Sequence, residues 1–287
     1  MQLDNGILNI AVSELGAELV SIEKEGHQYL WNADADYWGR HAPILFPIVG
    51  KLHEGVCHFG ERECHMKQHG FARDSRFAPT GNNGEMKLIE KPSKELYPFN
   101  FDLLVRYVLE GSQIKIIWSV VNRGKETMWF QIGAHPGFML PQYHADDPIH
   151  GYLRLLDARG QAIRPVQHSA LEEGLRKPLP SPIPMQDSII PITNDTFAHD
   201  ALLIEEKQVT AVELLDKNQH TILRVDCPQA EAFGLWAPAK AGCPFVCLEP
   251  WCGIADAIGF SGDFSQRKYA HPLEPNATYC FTYTISL

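Results

Sequence analysis

The stretch Pro244-Phe245-Val246-Cys247-Leu248-Glu249-Pro250-Trp251 joins a short apolar run to a single carboxylate. A run of this length, with Val, Phe and Cys between two prolines, is typical of a buried β-strand. We expect Glu249 to stand where this strand ends. A carboxylate at the edge of a packed core loses hydration and becomes a better proton acceptor than one in water. Glu249 is therefore a candidate base, and the alternative is a carboxylate that only caps neighbouring amides.

Short apolar segments separated by turns make up most of the remaining chain. The clearest pair covers residues 101–109 and 113–121, with a Gly-containing turn between them, and it predicts a β-hairpin. Convincing amphipathic helices are lacking, and 22 glycines and 20 prolines agree with many turns. Many short strands predict an all-β sandwich or barrel.

Two proline-containing segments are expected to depart from regular strand structure. Pro43 and Pro47 interrupt an apolar run, which excludes a central strand and a helix interior. We predict an irregular extended segment there, buried on one side. The proline-rich residues 167–187 are predicted to form a long surface loop.

Length and charge limit the classes of function. A chain of 287 residues, 45% hydrophobic and without a linker-like stretch, favours one globular domain over residues 1–287. The net charge of −10 argues against nucleic acid or an anionic membrane as partner, because no basic face is implied. Nothing in the sequence indicates an oligomeric state.

The N-terminus and the cysteines indicate a cytoplasmic location. No apolar run approaches the roughly 20 residues that span a bilayer, and the first residues lack a signal peptide's basic start and apolar core. The seven cysteines are odd in number and lie mostly in apolar segments. We therefore expect buried thiols instead of disulfides.

Three histidines, His69, His135 and less clearly His199, occupy Gly/Pro turns or strand ends. His135 lies in Gly133-Ala134-His135-Pro136-Gly137, where Pro and Gly force a turn. Histidine titrates near neutral pH and can donate or accept a proton there. Paired with Glu249, His135 is a candidate for acid–base chemistry, and the alternative is a structural histidine in a tight turn.

A metal-dependent enzyme is a competing interpretation. His65 and His69 fall on the same side of a strand, and His135 would be the third ligand. However, no third ligand is close in sequence, and no C-x-x-C pair occurs. The G-x-S-x-G elbow and glycine-rich phosphate loops are absent too. We assign no metal ligand and no cofactor.

Five short motifs follow one another along the chain: Arg40 with the Pro43-to-Pro47 run, Gln68 to Arg73, Gly133 to Phe138, Asn194 to Leu202, and Leu248 to Trp251. In this order they resemble the aldose 1-epimerase (mutarotase) family, especially the branch related to galactose mutarotase and glucose-6-phosphate 1-epimerases. The resemblance extends over almost the whole chain. It implies a single-domain β-supersandwich, in which large antiparallel sheets pack face to face and a cleft holds the sugar.

The resemblance also assigns roles to the two candidate catalytic residues. His135 would be the general acid and Glu249 the general base for opening and closing the ring of an aldose, which interconverts its α and β anomers. His69 would be a second histidine that binds the sugar.

Several further residues would line the cleft by the same resemblance. Arg40 and Arg73 would border it, and an acidic residue near Asp200 would contact sugar hydroxyls, with Asp195 as the alternative. Lys51 stands where relatives carry a basic residue. Sugar sites also use aromatic stacking faces; the candidates are Trp31, Trp38, Phe71, Trp236 and Trp251. We expect most of these aromatics to be core and one or two to touch sugar.

The substrate and the class of function are not decided by these motifs. The second motif continues into Phe71-Ala72-Arg73, where mutarotases proper carry glycines, and the sugar-phosphate branch shares this variant. Arg40 and Arg73 could therefore bind a 6-phosphate or sugar hydroxyls. The acidic net charge favours a neutral aldose such as galactose or glucose. A non-catalytic carbohydrate-binding module and an accessory domain without catalytic activity compete with the enzyme as interpretations of the sequence.

Overall fold

The computed structural model describes residues 1–81, 83–164, 166–240 and 242–287. The strands in chain order are β1 (Gln2–Asp4), β2 (Leu8–Val12), β3 (Leu19–Lys24), β4 (His27–Gln28), β5 (Ile44–Leu45), β6 (Val56–Phe59), β7 (Arg62–His65), β8 (Phe77–Pro79), β9 (Glu85–Leu88), β10 (Phe101–Glu110), β11 (Gln113–Asn122), β12 (Met128–Phe130), β13 (Ile132–Ala134), β14 (Gly137–Met139), β15 (Gly151–Leu156), β16 (Gln167–Glu172), β17 (Leu175–Pro182), β18 (Ile189–Ile192), β19 (Leu202–Ile204), β20 (Ala211–Leu215), β21 (Thr221–Asp226), β22 (Ala232–Trp236), β23 (Phe245–Cys252), β24 (His271–Leu273) and β25 (Thr278–Ser286). Short 3₁₀ helices cover His53–Gly55, Ala72–Asp74 and Phe264–Gln266. Among the described residues, no helix is long and apolar enough to cross a membrane.

Two large antiparallel sheets dominate the fold. The nine-stranded sheet has the order β18-β15-β20-β21-β25-β11-β10-β9-β8. The eight-stranded sheet has the order β17-β16-β19-β22-β23-β13-β5, and β14 also pairs with β23. A four-stranded sheet, β1-β2-β3-β4, and the pairs β12-β24 and β6-β7 complete the described strands. The predicted all-β class with large antiparallel sheets is confirmed.

One hydrophobic core joins the two large sheets. Trp118 and Phe281 of the nine-stranded sheet belong to the same buried cluster as Phe233 and Leu248 of the eight-stranded sheet. Burial alternates along β11 and β25, as expected for strands that have one face in a core. Each such large side chain contributes about 1.5–3 kcal/mol when it leaves water.

Strand β23 is buried on both faces. Val246 and Leu248 belong to the main core, whereas Phe245 and Cys247 form part of a separate apolar cluster. Side chains alternate across a strand, so Glu249 points away from the main core, on the side of Phe245 and Cys247. The alternation of side chains along β23 therefore determines the face on which the Glu249 carboxylate lies.

The prediction that Glu249 stands at the end of its strand was wrong, because β23 runs on to Cys252. Leu248 donates its N–H to Pro136 O, in the link between β13 and β14. In the same register Pro250 lies opposite Ala134, and proline has no N–H to donate to the Ala134 carbonyl. Proline is tolerated here because that carbonyl accepts from Trp251 Nε1 at 3.1 Å instead.

The two proline-containing segments differ from expectation in different ways. The short strand β5 lies at an edge of the eight-stranded sheet, and residues 42–50 are buried throughout, not on one side only. The predicted loop at 167–187 was wrong, because β16 and β17 form an edge hairpin there. An edge strand accepts prolines because its outer N–H groups need no partner strand.

Candidate active site

A cavity of about 350 Å³, called the cleft below, lies on the side of β23 that carries Glu249. Strands β19, β22 and β23 form its floor, the segment with the second motif forms one wall, and His135 lies in the two-residue link between β13 and β14. The turn predicted at residues 133–137 was wrong, because β13 and β14 both pair with β23 in one register, which places His135 opposite Glu249. Its lining residues are Trp38, Gly50, Gln68, His69, Arg73, His135, Leu171, Gly174, Asp200, Ala201, Leu203, Trp236, Glu249, Trp251 and Ala255.

His135 and Glu249 face each other in the cleft. The distance from His135 Nε2 to Glu249 Oε2 is 3.1 Å, and both side chains are buried. The two groups are not aligned as a hydrogen bond. Within the described part of the chain, neither Glu249 Oε2 nor His135 Nδ1 has a hydrogen-bond partner. The pair therefore retains capacity for hydrogen bonds to a bound polar molecule.

Burial shifts the protonation of both groups towards their neutral forms. It raises the pKa of Glu249 well above its ordinary value, and the charge of Asp200 acts in the same direction. It lowers the pKa of His135 to about 3, against the opposing effect of the polar backbone of His135 itself, and the charges of Arg73 and Arg40 lower it further. A proton held between the two groups is thus favoured on Glu249.

His69 is held by a reciprocal contact with Gly50. Gly50 N–H donates to His69 Nδ1 at 3.0 Å, and His69 N–H donates to Gly50 O at 2.9 Å. Because Nδ1 accepts a hydrogen bond, the ring proton is assigned to Nε2, which lies 3.3 Å from the side-chain amide of Gln68. With this tautomer the Gln68 amide is assigned with its oxygen towards the ring, as the acceptor. Burial, then the nearby His135 and Arg73, lowers the pKa of His69 well below its usual value. His69 is thus a neutral donor at the cleft wall, with its ring 5.5 Å from that of His135.

The two arginines occupy different positions. Arg73 lines the cleft and donates from Nη2 to Gln68 O at 2.7 Å. Its buried Nε has no hydrogen-bond partner among the described residues, and it lies 3.9 Å from Asp74 Oδ2. Arg40 is not among the lining residues and pairs with Asp74 at 2.8 Å. Its charge still lowers the pKa of both cleft histidines.

Of the two candidate acidic residues, the structure brings Asp200 to the cleft. Its Oδ1 accepts a hydrogen bond from Ala201 N–H at 2.8 Å. Asp195 and His199 are absent from the lining and border a second cavity, which Asp200 also borders. Lys51 does not line the cleft either; its Nζ donates to Glu173 O at 2.9 Å.

Three tryptophans, Trp38, Trp236 and Trp251, line the cleft, and contact of one or two aromatics with sugar stays a prediction. The Trp38 ring stacks on the His135 ring at 4.8 Å, and Trp236 meets the same imidazole edge-on at 5.5 Å. Trp31 is buried outside the cleft, and Phe71 packs against the main core. The tryptophans thus orient the imidazole and also offer apolar faces.

The hairpin of β16 and β17 supplies cleft residues that sequence reasoning missed. Leu171 and Gly174 line the cleft from its turn. The missed signal is Gly174 between two runs with β character, which is typical of a hairpin turn, and its φ of +80° suits glycine. Pro178, Pro180 and Pro182, which follow this turn, favoured the prediction of a loop instead.

The metal set of His65, His69 and His135 does not assemble. His65 is exposed and contacts Glu63 at 2.9 Å. Within the described ranges, two groups of three metal-ligating side chains lie close together: His135 with Cys247 and Glu249, and Glu231 with Cys252 and His271. His135 and Glu249 of the first group line the cleft, whereas Cys247 and the whole second group do not.

A second buried ion pair supports the cleft from behind. Arg267 Nε lies 2.6 Å from Asp256 Oδ1, and both side chains are almost completely buried. Arg267 also donates from Nη1 to Gln131 Oε1 at 2.8 Å and from Nη2 to Ile254 O at 3.1 Å. Every charged end of this pair is hydrogen-bonded.

The same network holds the segment around Gly50. Gln131 Oε1 accepts from Val49 N–H at 3.1 Å, and Asp256 Oδ2 accepts from His53 N–H at 3.0 Å. Gly50, whose backbone N–H donates to the His69 ring, therefore lies between two residues, Val49 and His53, that are held by hydrogen bonds.

Solved structures define the class of this architecture. The galactose mutarotase related enzyme from Lactobacillus acidophilus is 29% identical, has a TM-score of 0.89, and is matched over 100% of this chain and 96% of its own. A galactose mutarotase-like protein from Lactobacillus casei ATCC 334 is 23% identical with a TM-score of 0.90, over 100% and 99% of the two chains. The fold is that of the galactose mutarotase-like proteins.

The chain belongs to the aldose 1-epimerase family, whose model matches residues 1–286. Plasmid-encoded Protein LacX of Lactococcus lactis subsp. lactis is similar over the full length. It is 30% identical over 299 residues, which cover 100% of this chain and 99% of that protein.

Proposed function

We propose that the protein is a mutarotase that interconverts the α and β anomers of an aldose, with His135 as general acid and Glu249 as general base. The observation that carries this proposal is the 3.1 Å approach of two buried, incompletely hydrogen-bonded titratable groups in a polar cleft. Membership of the aldose 1-epimerase family supports an isomerase of sugars.

In the proposed reaction Glu249 removes the proton of the anomeric hydroxyl, and His135 protonates the ring oxygen as the C1–O5 bond breaks. The aldehyde rotates about C1–C2, and the ring closes from the other face with the roles reversed. Both reacting oxygens are on one carbon, so acid and base have to reach the same small volume. No oxidation state changes, so proton transfer alone suffices and the proposal includes no cofactor.

The protonation of the pair adds one requirement. The reaction needs ionised Glu249 and protonated His135, whereas burial favours both neutral forms. The two arrangements differ by one short proton transfer, from Glu249 Oε2 to His135 Nε2, and the net charge of the pair is the same in both. Hydrogen bonds from sugar hydroxyls to the unpartnered Oε2 would stabilise the ionised arrangement.

We propose a neutral aldose, such as galactose or glucose, as substrate. The cleft lining contains one guanidinium, Arg73, and two carboxyl groups, Asp200 and Glu249. Arg40, the other cation nearby, already pairs with Asp74. A phosphate with two negative charges would meet too few free cations here.

A hexose 6-phosphate is the second candidate, and the buried Nε of Arg73, which has no hydrogen-bond partner among the described residues, favours it. Polarimetric rates with galactose, glucose and glucose 6-phosphate separate the two. We expect faster turnover of the neutral sugars; a preference for the phosphate that disappears in Arg73→Ala would reverse the assignment. Calorimetric sugar binding without any acceleration of mutarotation would instead indicate a non-catalytic carbohydrate-binding protein.

We also infer one domain and a cytoplasmic location. The main core includes residues from Leu8 to Ile285, which supports one folding unit. All seven cysteines are free, and five of them are buried, as is common in a reducing compartment.

A further inference from the structure

A cluster of metal-ligating side chains lies on the face of β23 opposite the cleft. Cys252 ends β23 and belongs to the main core, Glu231 precedes β22, and His271 begins β24. One ligand atom from each lies within 4.8 Å of the other two. His271 Nε2 is 3.1 Å from Glu231 Oε2. Three separate segments therefore converge on one point.

We propose that Glu231, Cys252 and His271 bind a divalent first-row transition metal ion, with zinc as the preferred occupant. Thiolate, imidazole and carboxylate are the ligand types of protein zinc sites. Bond lengths of about 2.0–2.3 Å place tetrahedral ligand atoms roughly 3.2–3.8 Å apart, so the cluster needs only a small contraction. Three protein ligands leave a fourth position for water.

Burial and exposure are divided among the three residues as a metal site requires. Cys252 is buried, whereas the Glu231 and His271 side chains are each 19% exposed. The ion can reach the cluster past the two partly exposed side chains, and the Cys252 thiolate then binds it from the protein interior. The ion would tie together the start of β22, the end of β23 and β24.

Binding has a defined proton balance. Cys252 Sγ now donates to Gln229 O at 3.1 Å. Metal binding replaces the S–H bond with a sulfur–metal bond and releases one proton to solvent, so affinity falls as the pH is lowered.

A second set of the same residue types provides the matched control. Cys247 lies on the opposite face of β23 from Cys252, beside His135 and Glu249. Cys247 is 0% exposed and is not among the residues that line the cleft, so an ion in the cleft does not reach its thiol. The inference for Cys252 does not depend on the proposed function of the cleft.

The experiment is titration of the chelator-stripped full-length protein with Co²⁺ and then Zn²⁺, followed by absorbance and by competition with a chromophoric chelator. Cys252→Ser is compared with Cys247→Ser and with Cys280→Ser, which removes an exposed thiol. His271→Asn is the second test variant. Melting curves establish that each variant folds.

We expect one metal ion per chain and a thiolate-to-cobalt charge-transfer band that zinc displaces. Cys252→Ser should lose the band, and zinc should bind at least tenfold more weakly to Cys252→Ser and His271→Asn. Cys247→Ser and Cys280→Ser should behave as wild type. At a hundredfold excess over Kd, zinc should raise the Tm by about 4 °C. Absence of stoichiometric binding, binding unchanged in Cys252→Ser, or binding lost in Cys247→Ser would each overturn the proposal.

Discussion

Two buried pairs of opposite character lie within the same part of the molecule. The Arg267–Asp256 pair, with its ions 2.6 Å apart, is hydrogen-bonded at every charged end, through Gln131 and a backbone carbonyl. The His135–Glu249 pair is 3.1 Å apart, and it leaves Nδ1 and Oε2 without partners among the described residues.

The difference separates a structural pair from a reactive one. A buried polar group without a partner costs about 1–3 kcal/mol, whereas a fully hydrogen-bonded network is stable in a low dielectric. Folding alone does not explain two unsatisfied groups side by side, but a cleft that hydrogen-bonds a ligand does. Disrupting the first pair should therefore reduce stability, and disrupting the second should reduce activity.

The largest expected effect is on activity. Glu249→Gln and His135→Asn should each reduce catalysed mutarotation by about 10²–10⁴-fold, because each removes one proton-transfer group. Polarimetry with galactose measures the rate, and Asp195→Asn, outside the cleft lining, is the control with an unchanged rate. Wild-type rates in either variant would remove that residue from the mechanism.

The next effect is on stability. Arg267→Met should lower the free energy of unfolding by about 3–5 kcal/mol, because it leaves the Asp256 charge buried and unpaired. Urea denaturation followed by fluorescence gives the value, with the exposed Arg62→Met as control. The double variant Arg267→Met/Asp256→Leu should recover part of the loss. An equal loss in the double variant would show that packing, not charge, dominates.

A smaller effect of opposite sign is expected at the reactive pair. Glu249→Gln should raise the free energy of unfolding by about 1–2 kcal/mol at pH 8. The folded-state pKa of Glu249 is raised, so the carboxyl destabilises the wild type increasingly as the pH rises above its unfolded value of 4.5. The difference in the free energy of unfolding between Glu249→Gln and the wild type should therefore decrease towards pH 5. Melting curves at both pH values test this, and a gain independent of pH would contradict it.

The smallest expected effect is a shift of the pH–rate profile in the variant Asp200→Asn. Its charge adds to burial in raising the pKa of Glu249, so Asp200→Asn should lower that pKa. If ionised Glu249 is the base, the acidic limb of the pH–rate profile should move to lower pH, by about one unit or less. Asp195→Asn should leave the limb in place. A shift to higher pH would contradict the assignment of the base.

Local patterns were enough for the all-β class and for naming His135 and Glu249 as a candidate pair, but not for every strand. The hairpin β10–β11 and the buried strand β23 follow from alternation, apolar runs and turn residues, which act between near neighbours. The edge hairpin β16–β17 was missed because prolines mark a loop unless an edge strand is known to be there.

The sequence by itself determined the all-β class and the apolar strand that carries Glu249, because these depend on backbone propensity and side-chain period. The tertiary structure alone decided that Asp200 lines the cleft and Asp195 does not, that Arg40 stands outside it, and that Arg267 supports it from behind. Those placements depend on contacts between residues far apart in the chain, and no local pattern encodes which distant side chains share one volume.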